Sequence, residues 1–328
     1  MKAVIPLGGK GTRLRPHTFT RPKALLHVAG KPALGHILDE VAAAGITEAV
    51  LVLGQMGEQI EEYVRSAYPR MTATFVEQRE PLGLGHAVSL TRDAVGKEGA
   101  LIIYGDTLFE ADLRPQLSTR KDASLGTISC DDPRPFGIVE RSGGRVTRLV
   151  EKPKEKKRGE VIVGVNVIRD SGGLYDALEE LMRKNLRTKN EYQLTDAMQL
   201  MVEHGAAFTT FPVKRWLDCG SVDNMLASNA ALLVRKGKVL AELAGSSVAA
   251  PCHVAKGAVI ERSKIGPNVS IAEGAVIRNS VLKDCIIHES CVIENCVLDK
   301  SIIGGHAVVR GFRGSTSLGD FSSLAGSR

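Results

Sequence analysis

Residues 6–26 read PLGGKGTRLRPHTFTRPKALL, and their first two residues complete the short apolar run KAVIPL at residues 2–7. An apolar run that ends in glycines predicts a buried strand whose chain continues into a loop. Because glycines 8, 9 and 11 carry no side chain, their backbone N–H groups would approach an anion closely. Arg13 and Arg15 add cations, and Arg13 can bind phosphate oxygens through two bonds. Lys23 adds a further charge behind Pro22, which stiffens the backbone. The stretch therefore predicts a strand followed by a loop that binds phosphate.

Two common phosphate-binding loops do not fit this stretch. A Walker loop requires G-x-x-x-x-G-K-[ST], whereas Lys10 lies between Gly9 and Gly11 with no glycine in the required earlier position. The dinucleotide fingerprint G-x-G-x-x-G requires a third glycine three residues after Gly11, where Leu14 stands. Both are excluded. On the glycines alone, a βα turn with solvated basic residues remains an alternative.

Strand-like and helix-like segments alternate after this loop. A helical pattern runs up to Gly45, which is a plausible helix end, and further helices are predicted around 58–64 and 85–95. Between them lie the apolar runs AVLVLG (49–54), ATFVEQ (73–78) and ALIIYGD (100–106). Strands separated by crossover helices predict an α/β fold with a mostly parallel sheet covered on both faces. A hairpin at residues 142–144, a strand at 161–168, helices over 174–204, a strand at 208–213 and a helix from about 221 to 237 follow.

The pattern changes completely from about residue 246. Bulky aliphatic residues recur every five or six positions, and a smaller residue stands two positions before each. The aliphatic series is Ile265, Ile271, Ile277, Leu282, Ile287, Ile293, Leu298, Ile303 and Val309. This period predicts a parallel β-solenoid over residues 246–311, with Cys285, Cys291 and Cys296 as small core residues. Residues 312–328 are polar and small, which predicts a flexible tail. Because a short solenoid exposes strand edges, we expect a homo-oligomer assembled through it.

Composition narrows the class of function. The chain has 328 residues, a net charge of +6 and only 4% aromatic residues, which disfavours a nucleic-acid partner and suits small polyanionic ligands. No apolar run is long enough to span a bilayer and the N-terminus lacks a signal-peptide pattern, so we expect no membrane partner and a cytoplasmic location. None of the six cysteines forms a C-x-x-C pair, so a zinc site or a dithiol redox motif is unsupported.

The loop resembles the signature G-G-x-G-T-R-L-x-P-x-T…P-K of the sugar-1-phosphate nucleotidylyltransferases. It matches from Gly8 to Pro16 and again at Pro22-Lys23, and further similarity appears in EQREPLGLGHAV (77–88), YGDT (104–107), VEKP (150–153), EYQLTDAMQLM (191–201) and WLDCG (216–220). The resemblance covers about residues 1–235, and the solenoid is similar to the left-handed β-helix of longer members. It implies a Rossmann-like nucleotidyltransferase domain at 1–238 and a left-handed, hexapeptide-type β-helix at 246–311.

The resemblance also implies roles for particular residues. It assigns the nucleotide to Leu7, Gly8, Gly9, Gly11, Thr12, Gln78 and Gly83, the sugar phosphate to Gly137, Glu151, Lys152 and Gly164, catalysis to Arg13, Lys23 and Lys152, and Mg²⁺ to Asp106 and Asp218. Carboxylates at strand ends suit magnesium, which binds one or two of them together with phosphate oxygens. An amide that both donates and accepts suits a pyrimidine edge. His86 lies within a helical pattern, which favours a structural role over that of a base.

The implied reaction is a direct displacement at phosphorus that needs no protein nucleophile. The sugar 1-phosphate attacks the α-phosphorus of a nucleoside triphosphate and pyrophosphate leaves. The resemblance favours dTTP and glucose 1-phosphate; alternatives are uridylyl transfer to glucose 1-phosphate and guanylyl transfer to mannose 1-phosphate. Asn166 replaces an aromatic residue of many relatives, which leaves the identity of the sugar open.

A non-catalytic subunit that binds nucleotide sugars is disfavoured because all the charged site residues are present. Acyl transfer by the solenoid has little support, because His253, His288 and His306 have no evident partner in the sequence.

Overall fold

The structure is a computed structural model and describes residues 1–326. It divides into two compact units: the first contains Met1–Gly9 and Ile37–Trp216, and the second contains Lys10–His36 and the chain from Leu217 onward. The sequence predicted domains at 1–238 and 246–311 and a tail at 312–328, and the bounds of the two domains stay a prediction.

The elements are numbered here along the chain. The helices are α1 Ala33–Ala43, α2 Gly57–Ala67, α3 Leu84–Ser89, α4 Arg92–Val95, α5 Arg114–Leu117, α6 Ser171–Arg183, α7 Leu194–Glu203 and α8 Val222–Lys236. The first strands are β1 Lys2–Pro6, β2 His27–Val28, β3 Lys31–Pro32, β4 Glu48–Leu53, β5 Thr72–Glu77, β6 Ala100–Ile103, β7 Thr107–Glu110, β8 Ala123–Cys130, β9 Gly137–Ser142, β10 Arg145–Glu151, β11 Gly159–Ile168, β12 Phe208–Pro212 and β13 Arg215–Asp218. The remaining strands are β14 Leu243–Ala244, β15 Ser247–Val248, β16 Cys252–Val254, β17 Val259–Glu261, β18 Lys264–Ile265, β19 Val269–Ile271, β20 Val276–Arg278, β21 Val281–Ile287, β22 Val292–Glu294, β23 Val297–Ile303, β24 Val308–Arg310, β25 Arg313–Gly314, β26 Ser317–Leu318 and β27 Ser323–Ala325.

The first unit is built on one mixed sheet with the strand order β10-β9-β11-β6-β1-β4-β5, and β8 pairs with β11 and β12. Strands β6, β1, β4 and β5 run parallel, as the crossover helices predicted, while β11 runs antiparallel to β6 and to β8. Parallel strands of this kind are buried on both faces, and the residues at the centre of β1 and all of β6 are buried. The carboxyl ends of β1, β5 and β6 therefore lead into neighbouring loops along one edge of the sheet.

The core of the first unit joins this sheet to helices α3, α6 and α7. Apolar residues of the strands pack with Leu174, Leu178 and Met198 of the helices, all fully buried. Asp170 caps the N-terminus of helix α6, because its side chain accepts a hydrogen bond from the backbone N–H of Gly173. The hairpin predicted at residues 142–144 is confirmed as the turn between β9 and β10.

The second unit contains a hexapeptide-type β-helix whose strands stack parallel, one coil on the next. Ile260, Ile277, Ile293, Val309 and Leu324 form one continuous column across five coils. The aliphatic series predicted from the sequence is buried throughout, and so are the small residues two positions before each member. Each fully buried branched side chain stabilises the fold by about 1.5–3 kcal/mol relative to an exposed one. The predicted β-helix is confirmed.

A ladder of alternating charges lies on the outer face of this β-helix. Arg278 donates to Glu261 at 3.0 Å and to Glu294 at 3.4 Å, and Arg310 donates to Glu294 at 2.9 Å. In a parallel stack, equivalent positions of successive coils face each other, so like charges would repel and alternating charges attract. The ladder therefore favours the register that also aligns the aliphatic columns.

The prediction of a flexible tail at residues 312–328 is wrong for the part of it that the structure describes. Residues 313–325 contain β25, β26 and β27, which pair in parallel with β23 and β24. Leu318 and Leu324 are half-buried against the β-helix core. A polar segment of low apolar content folds here because the last coil offers unpaired backbone groups that template one more turn. Residues 327 and 328, which the prediction also covered, lie outside the described residues.

The second unit also contains the part of the glycine-rich loop from Lys10 onward and the segment that follows it. This segment has three short 3₁₀ turns, Thr12–Leu14, His17–Phe19 and Lys23–Leu25, followed by the small hairpin β2–β3. Asn229 of α8 accepts a hydrogen bond from the backbone of Ala29 at 2.9 Å. Among residues 1–326, no helix has the length and apolar character that crossing a membrane requires.

Candidate functional site

The chain leaves β1 through Leu7, Gly8 and Gly9 at the carboxyl end of a central strand. The Leu7 backbone N–H donates to the Val52 carbonyl of the neighbouring strand at 2.8 Å, which extends the pairing by one residue. Gly9 is exposed, and a Cβ atom added to it would meet no atom within 4 Å. The protein itself therefore does not require glycine at position 9, whereas a ligand approaching the backbone would.

Gln78, which follows β5, lies over this loop. A Cβ atom on Gly8 would stand 2.5 Å from the Gln78 Oε1, so only glycine leaves the amide its place. The Nε2 of Gln78 donates to the Gly83 carbonyl at 3.1 Å and faces the Nδ1 of His86, also at 3.1 Å. Burial lowers the pKa of His86, which favours the neutral ring, and the ring's hydrogen bond to the Glu80 backbone assigns the proton to the other nitrogen, so that Nδ1 accepts. His86 thus positions the amide, in agreement with a structural role.

Gly83 is the residue immediately before helix α3, and its φ of 116° is a backbone conformation that residues with a side chain rarely adopt. A Cβ atom there would lie 2.6 Å from the carbonyl oxygen of Tyr192. The Gly85 N–H donates to the same carbonyl at 2.7 Å, and the Tyr192 N–H donates to Leu82 at 2.9 Å. The predicted residues Gly8, Gln78 and Gly83 therefore lie together in the first unit.

Gly54 is a residue of this region to which sequence reasoning gave no role. It ends the run AVLVLG, and a Cβ atom on it would lie 2.8 Å from both the Cα and the carbonyl oxygen of Gly8. Because those atoms are backbone, they cannot give way as a side chain can. A glycine at the end of the strand next to β1 was the available signal.

Asp106 lies in the turn between β6 and β7, at the carboxyl end of β6, as predicted. The turn is held by a hydrogen bond from the Thr107 N–H to the Tyr104 carbonyl at 3.0 Å. The side chain of Leu7 packs against Gly105, so the turn and the loop after β1 are neighbours. Burial, with help from the nearby charges of Glu151 and Asp106, raises the pKa of Tyr104, which keeps its hydroxyl protonated.

Glu151, Gly137 and Thr195 form a second cluster in the first unit. Glu151 pairs with Gly137 across β10 and β9, and a Cβ atom on Gly137 would stand 3.0 Å from the Glu151 Oε2 and 2.9 Å from the Thr195 Oγ1. Only 10% of the Glu151 side chain is exposed. Burial raises the pKa of Glu151, and the charge of Asp196 raises it further, whereas Thr195 and Lys152 lower it. Thr195 and Asp196 lie in a quoted motif, but neither was singled out from the sequence.

Lys152 has an unusual backbone for a residue with a side chain, with φ 48°. This left-handed conformation costs roughly 1–2 kcal/mol in a residue that carries a Cβ atom. The conformation is held by a hydrogen bond from the Lys152 N–H to the Phe136 carbonyl at 3.0 Å, and the ammonium lies 3.7 Å from the Glu151 carboxylate. Strain of this kind clusters at functional sites, which supports the choice of Lys152 over the other lysines of its charge run.

Gly164 and Asn166 lie on β11 beside Tyr104. Gly164 has φ 81°, and the Tyr104 ring occupies the space that a Cβ atom would need. Asn166 is fully buried, and neither its Oδ1 nor its Nδ2 has a partner at ordinary hydrogen-bond geometry among the described residues, although the amide lies near enough to the Tyr104 hydroxyl to lower the pKa of that group against the effect of burial. A buried amide without partners costs about 1–3 kcal/mol, so this position is suited to a polar ligand or an ordered water.

In the second unit, Gly11 and Lys23 lie together. A Cβ atom on Gly11, which has φ 59°, would lie 3.2 Å from the Lys23 Cβ and 2.9 Å from the Thr18 Cγ2. The Thr18 hydroxyl donates to the Gly11 carbonyl at 2.9 Å, and the Leu14 N–H donates to the same carbonyl. The chain therefore folds back so that Lys23 lies directly against the loop. Thr12 is exposed in the first 3₁₀ turn.

Arg13 and Asp218 also lie in the second unit. A Cβ atom on Gly220 would stand 3.2 Å from the Arg13 guanidinium and 2.8 Å from the Asp218 Oδ1, so both side chains approach the same face of Gly220. The Gly220 N–H donates to Asp218 at 2.7 Å, and the Asn224 amide donates to its other oxygen at 2.6 Å. These bonds orient a carboxylate that keeps lone pairs for a cation.

The donor set predicted for Mg²⁺ fits a hard cation. Both members are carboxylates at strand ends, and Asp218 is oriented by two hydrogen bonds. Asp106 belongs to the first unit and Asp218 to the second, and the assignment of both to one ion stays a prediction. The same holds for the roles given to the nucleotide and sugar-phosphate residues.

Comparisons with known proteins agree with this geometry. The family of nucleotidyl transferases matches residues 2–235, and the hexapeptide family described as GlmU-like, C-terminal matches residues 229–312. A glucose-1-phosphate thymidylyltransferase of Streptomyces griseus is 31% identical over 306 residues, which cover 85% of each chain. A UTP–glucose-1-phosphate uridylyltransferase of Haloferax volcanii is 30% identical over 67% of this chain and 91% of its own.

A solved structure of UDP-glucose pyrophosphorylase in complex with UDP-glucose has the same fold, with a TM-score of 0.60 and 22% identity. It covers 71% of this chain and 98% of its own. The resemblance found in the loop and in the later motifs is thus confirmed over most of the chain. The protein belongs to the nucleotidyl transferase family, as a sugar-1-phosphate nucleotidylyltransferase that carries a C-terminal hexapeptide β-helix.

Proposed function

We propose that this enzyme transfers the thymidylyl group of dTTP to glucose 1-phosphate, which forms dTDP-glucose and pyrophosphate. The observation that carries the choice of base is the arrangement of the Gln78 amide. The name of the Streptomyces griseus relative, at 31% identity, supports the same pair of substrates.

The Gln78 amide can accept from a base but has no free donor. One N–H of Nε2 is directed to the Gly83 carbonyl and the other to the His86 Nδ1, while Oε1 faces Gly8. The assignment of O and N follows from this network. An acceptor fits a base that donates from a ring nitrogen of its Watson–Crick edge. Thymine and uracil carry N3–H and guanine carries N1–H there, whereas the N3 of cytosine and the N1 of adenine are acceptors and only an exocyclic amino group can donate. The amide therefore favours thymine, uracil or guanine, and the names of the Streptomyces griseus and Haloferax volcanii relatives favour the two pyrimidines.

The chemistry follows from charge and position. An oxygen of the sugar 1-phosphate attacks the α-phosphorus, the bond to the bridging oxygen of the β-phosphate breaks, and pyrophosphate carries away the electron pair. Arg13 and Lys23 neutralise the triphosphate, Lys152 neutralises the sugar phosphate, and the backbone at Gly8 and Gly9 contacts phosphate oxygens. Asp106 and Asp218 would hold Mg²⁺, which supplies further charge neutralisation on the phosphates. The protein's task is to bring two polyanions into line.

The sugar would lie against Glu151 and Asn166. The ionised Glu151 accepts hydrogen bonds from sugar hydroxyls, and the Asn166 amide offers both a donor and an acceptor in a buried position. A site with such buried polar groups strongly disfavours an analogue that lacks the matching hydroxyl, because the polar group is then left unpaired.

Pyrophosphate release with a panel of nucleotides and sugar 1-phosphates tests the proposal. Five nucleotides (dTTP, UTP, CTP, GTP and ATP) are each paired with glucose, mannose and N-acetylglucosamine 1-phosphate, and products are identified by mass spectrometry. We expect the highest kcat/KM with dTTP and glucose 1-phosphate, and at least tenfold lower values with CTP. A preference for CTP or ATP would refute the base-reading argument, and no release with any pair would refute the activity.

Uridylyl transfer is the second candidate, because uracil offers Gln78 the same N3–H and the Haloferax volcanii relative carries that name. The two differ only in the 5-methyl group and the 2′-hydroxyl. Comparing both dTTP and UTP with dUTP separates these two contributions, and a higher kcat/KM with UTP than with dTTP assigns the enzyme to uridylyl transfer.

The β-helix supports a homo-oligomer. A row of outward valines, Val259, Val276, Val292 and Val308, follows one face of the coils in register. Burying such a row against a second copy would remove apolar surface from water. Light scattering should give a multiple of the chain mass that falls towards one chain in Val276→Lys and Val292→Lys; an unchanged mass would exclude this face.

Nucleoside triphosphate substrates and six free cysteines fit a cytoplasmic location.

A further inference from the structure

Several histidines lie close together in the second unit, apart from the substrate residues. His27 is in β2, His288 follows β21 of the β-helix, and His17 is in the second 3₁₀ turn. The ring centroids of His27 and His288 are 5.6 Å apart, and those of His17 and His288 are 6.4 Å apart. We call these three residues the histidine cluster.

His288 lacks the partners that a buried imidazole needs. Its exposed fraction is 0%, and neither ring nitrogen has a hydrogen-bond partner among residues 1–326. The Nδ1 atoms of His17 and His27 are buried as well, without a hydrogen-bond partner in the described part of the chain. Each unsatisfied buried polar atom costs about 1–3 kcal/mol, so several in one place indicate a missing ligand.

A carboxylate completes the donor set. Glu289 lies beside the histidine cluster, with its Oε2 at 3.8 Å from the His288 Nδ1. One ligand atom each from His27, His288 and Glu289 lie within 4.8 Å of one another. Two ligands of one tetrahedral zinc ion at about 2.0–2.2 Å stand roughly 3.3–3.6 Å apart, so side-chain rotations that bring these atoms together by at most about 1.5 Å close the site. We propose that His27, His288 and Glu289 bind a divalent transition metal of the Zn²⁺ type.

The surrounding charges suit a dication. Arg21 donates to the Glu289 Oε1 at 2.5 Å and to the Asp320 Oδ2 at 2.9 Å, so one cation is balanced by two carboxylates and a net negative charge remains. The Glu289 Oε2 is 3.4 Å from Arg21, which leaves it the freer of the two oxygens. Burial lowers the pKa of His27 to about 4 and that of His288 well below its usual value, so both rings are neutral and have lone pairs to donate.

The fourth position is open to water or to the His17 Nδ1, which is buried without a partner among the described residues but lies outside the set of ligand atoms within 4.8 Å; the His17 Nε2 already pairs with the Ser317 hydroxyl at 2.8 Å. Tetrahedral closure by protein ligands is typical of structural zinc. The ion would join the segment of residues 17–27, which contains Lys23, to the β-helix at residues 288–289. The site is independent of the proposed function, because it shares no residue with the predicted substrate contacts.

Metal binding by the full-length protein tests this site. Protein stripped with a chelator is titrated with Co²⁺ in excess Mg²⁺, which occupies carboxylate sites, and then with Zn²⁺. We expect one equivalent of Co²⁺ with the visible absorption of a four-coordinate ion, its displacement by Zn²⁺, and a higher Tm with Zn²⁺ that the chelator reverses. Asp106→Asn should bind the same equivalent.

Matched variants identify the ligands. Glu289→Gln and Asp320→Asn each remove one carboxylate partner of Arg21, but only the first removes a proposed ligand. Zn²⁺ affinity should fall at least about 100-fold in Glu289→Gln and in His27→Gln, and stay within about threefold in Asp320→Asn and in His306→Gln. Circular dichroism of the metal-free variants controls for folding, and half-buried His27 is the second test if Glu289→Gln does not fold. No uptake by the wild type, or equal affinity in all four variants, would overturn the proposal.

Discussion

Replacing Gly8 with alanine should disable base recognition by displacing Gln78. The new Cβ atom would stand 2.5 Å from the Gln78 Oε1, whereas an ordinary van der Waals contact is roughly 3.5 Å, so the amide must move by about 1 Å. That movement breaks the bonds of Nε2 to Gly83 and His86, both 3.1 Å long. Each contributes about 0.5–1.5 kcal/mol, so the free energy of unfolding should fall by about 1–2 kcal/mol in this half-buried place.

The catalytic effect follows from the same displacement. Loss of one hydrogen bond to the base costs about 1.4–2.7 kcal/mol of transition-state binding, which lowers kcat/KM for dTTP by about 10- to 100-fold. Gln78→Ala should give the same loss, and the double variant should lose little more, because Gly8→Ala acts through Gln78. The measurements are pyrophosphate release and urea unfolding for the wild type, both single variants and the double variant.

Gly9→Ala is the control for this cycle. Its Cβ atom would meet no atom within 4 Å, so stability should change by less than about 0.5 kcal/mol. If phosphate approaches the backbone at Gly9, kcat/KM still falls at least about tenfold, now without loss of stability. The losses of the two single variants add only if the two sites act independently. A loss in the Gly8→Ala/Gln78→Ala double variant that exceeds the larger single loss by more than about 0.5 kcal/mol would therefore refute the steric reasoning.

Three further predictions concern other parts of the chain. Asp106→Asn should lower Mg²⁺-dependent turnover by at least about 100-fold with an unchanged Tm, whereas Asp112→Asn should change neither; near-normal rates in the first would exclude the metal role. Glu151→Gln should lower kcat/KM but raise Tm. Burial raises the folded-state pKa of Glu151, so ionising this carboxyl destabilises the fold, and the Tm gain of the variant should grow as pH rises through that pKa. A Tm gain that shrinks with rising pH would contradict this. Iodoacetamide should modify half-buried Cys130 in the native protein and spare Cys285, whose pKa burial raises to about 12; mass spectrometry showing native labelling of Cys285 would refute its core position.

The sequence predicted those features that repeat or that lie close together along the chain. The period of five to six residues determines which side chains face the β-helix interior, and every predicted aliphatic residue is buried. Apolar runs ending in glycine located the strands whose carboxyl ends lead into the candidate site. The family signature depends on the same kind of local order, because loop, strand end and spacing are all visible in one dimension.

Only the tertiary structure decided which distant residues meet. The small, polar residues of 312–328 predicted a loose tail, and the described part folds because stacking on a finished coil satisfies its backbone, which no local pattern records. Position 54 requires glycine because the Gly8 backbone passes directly beside it. The histidine cluster joins residues at positions 17, 27 and 288, so no spacing in the sequence predicts it. Periodicity and turns are properties of neighbours along the chain, whereas a site is assembled by packing between segments far apart in it.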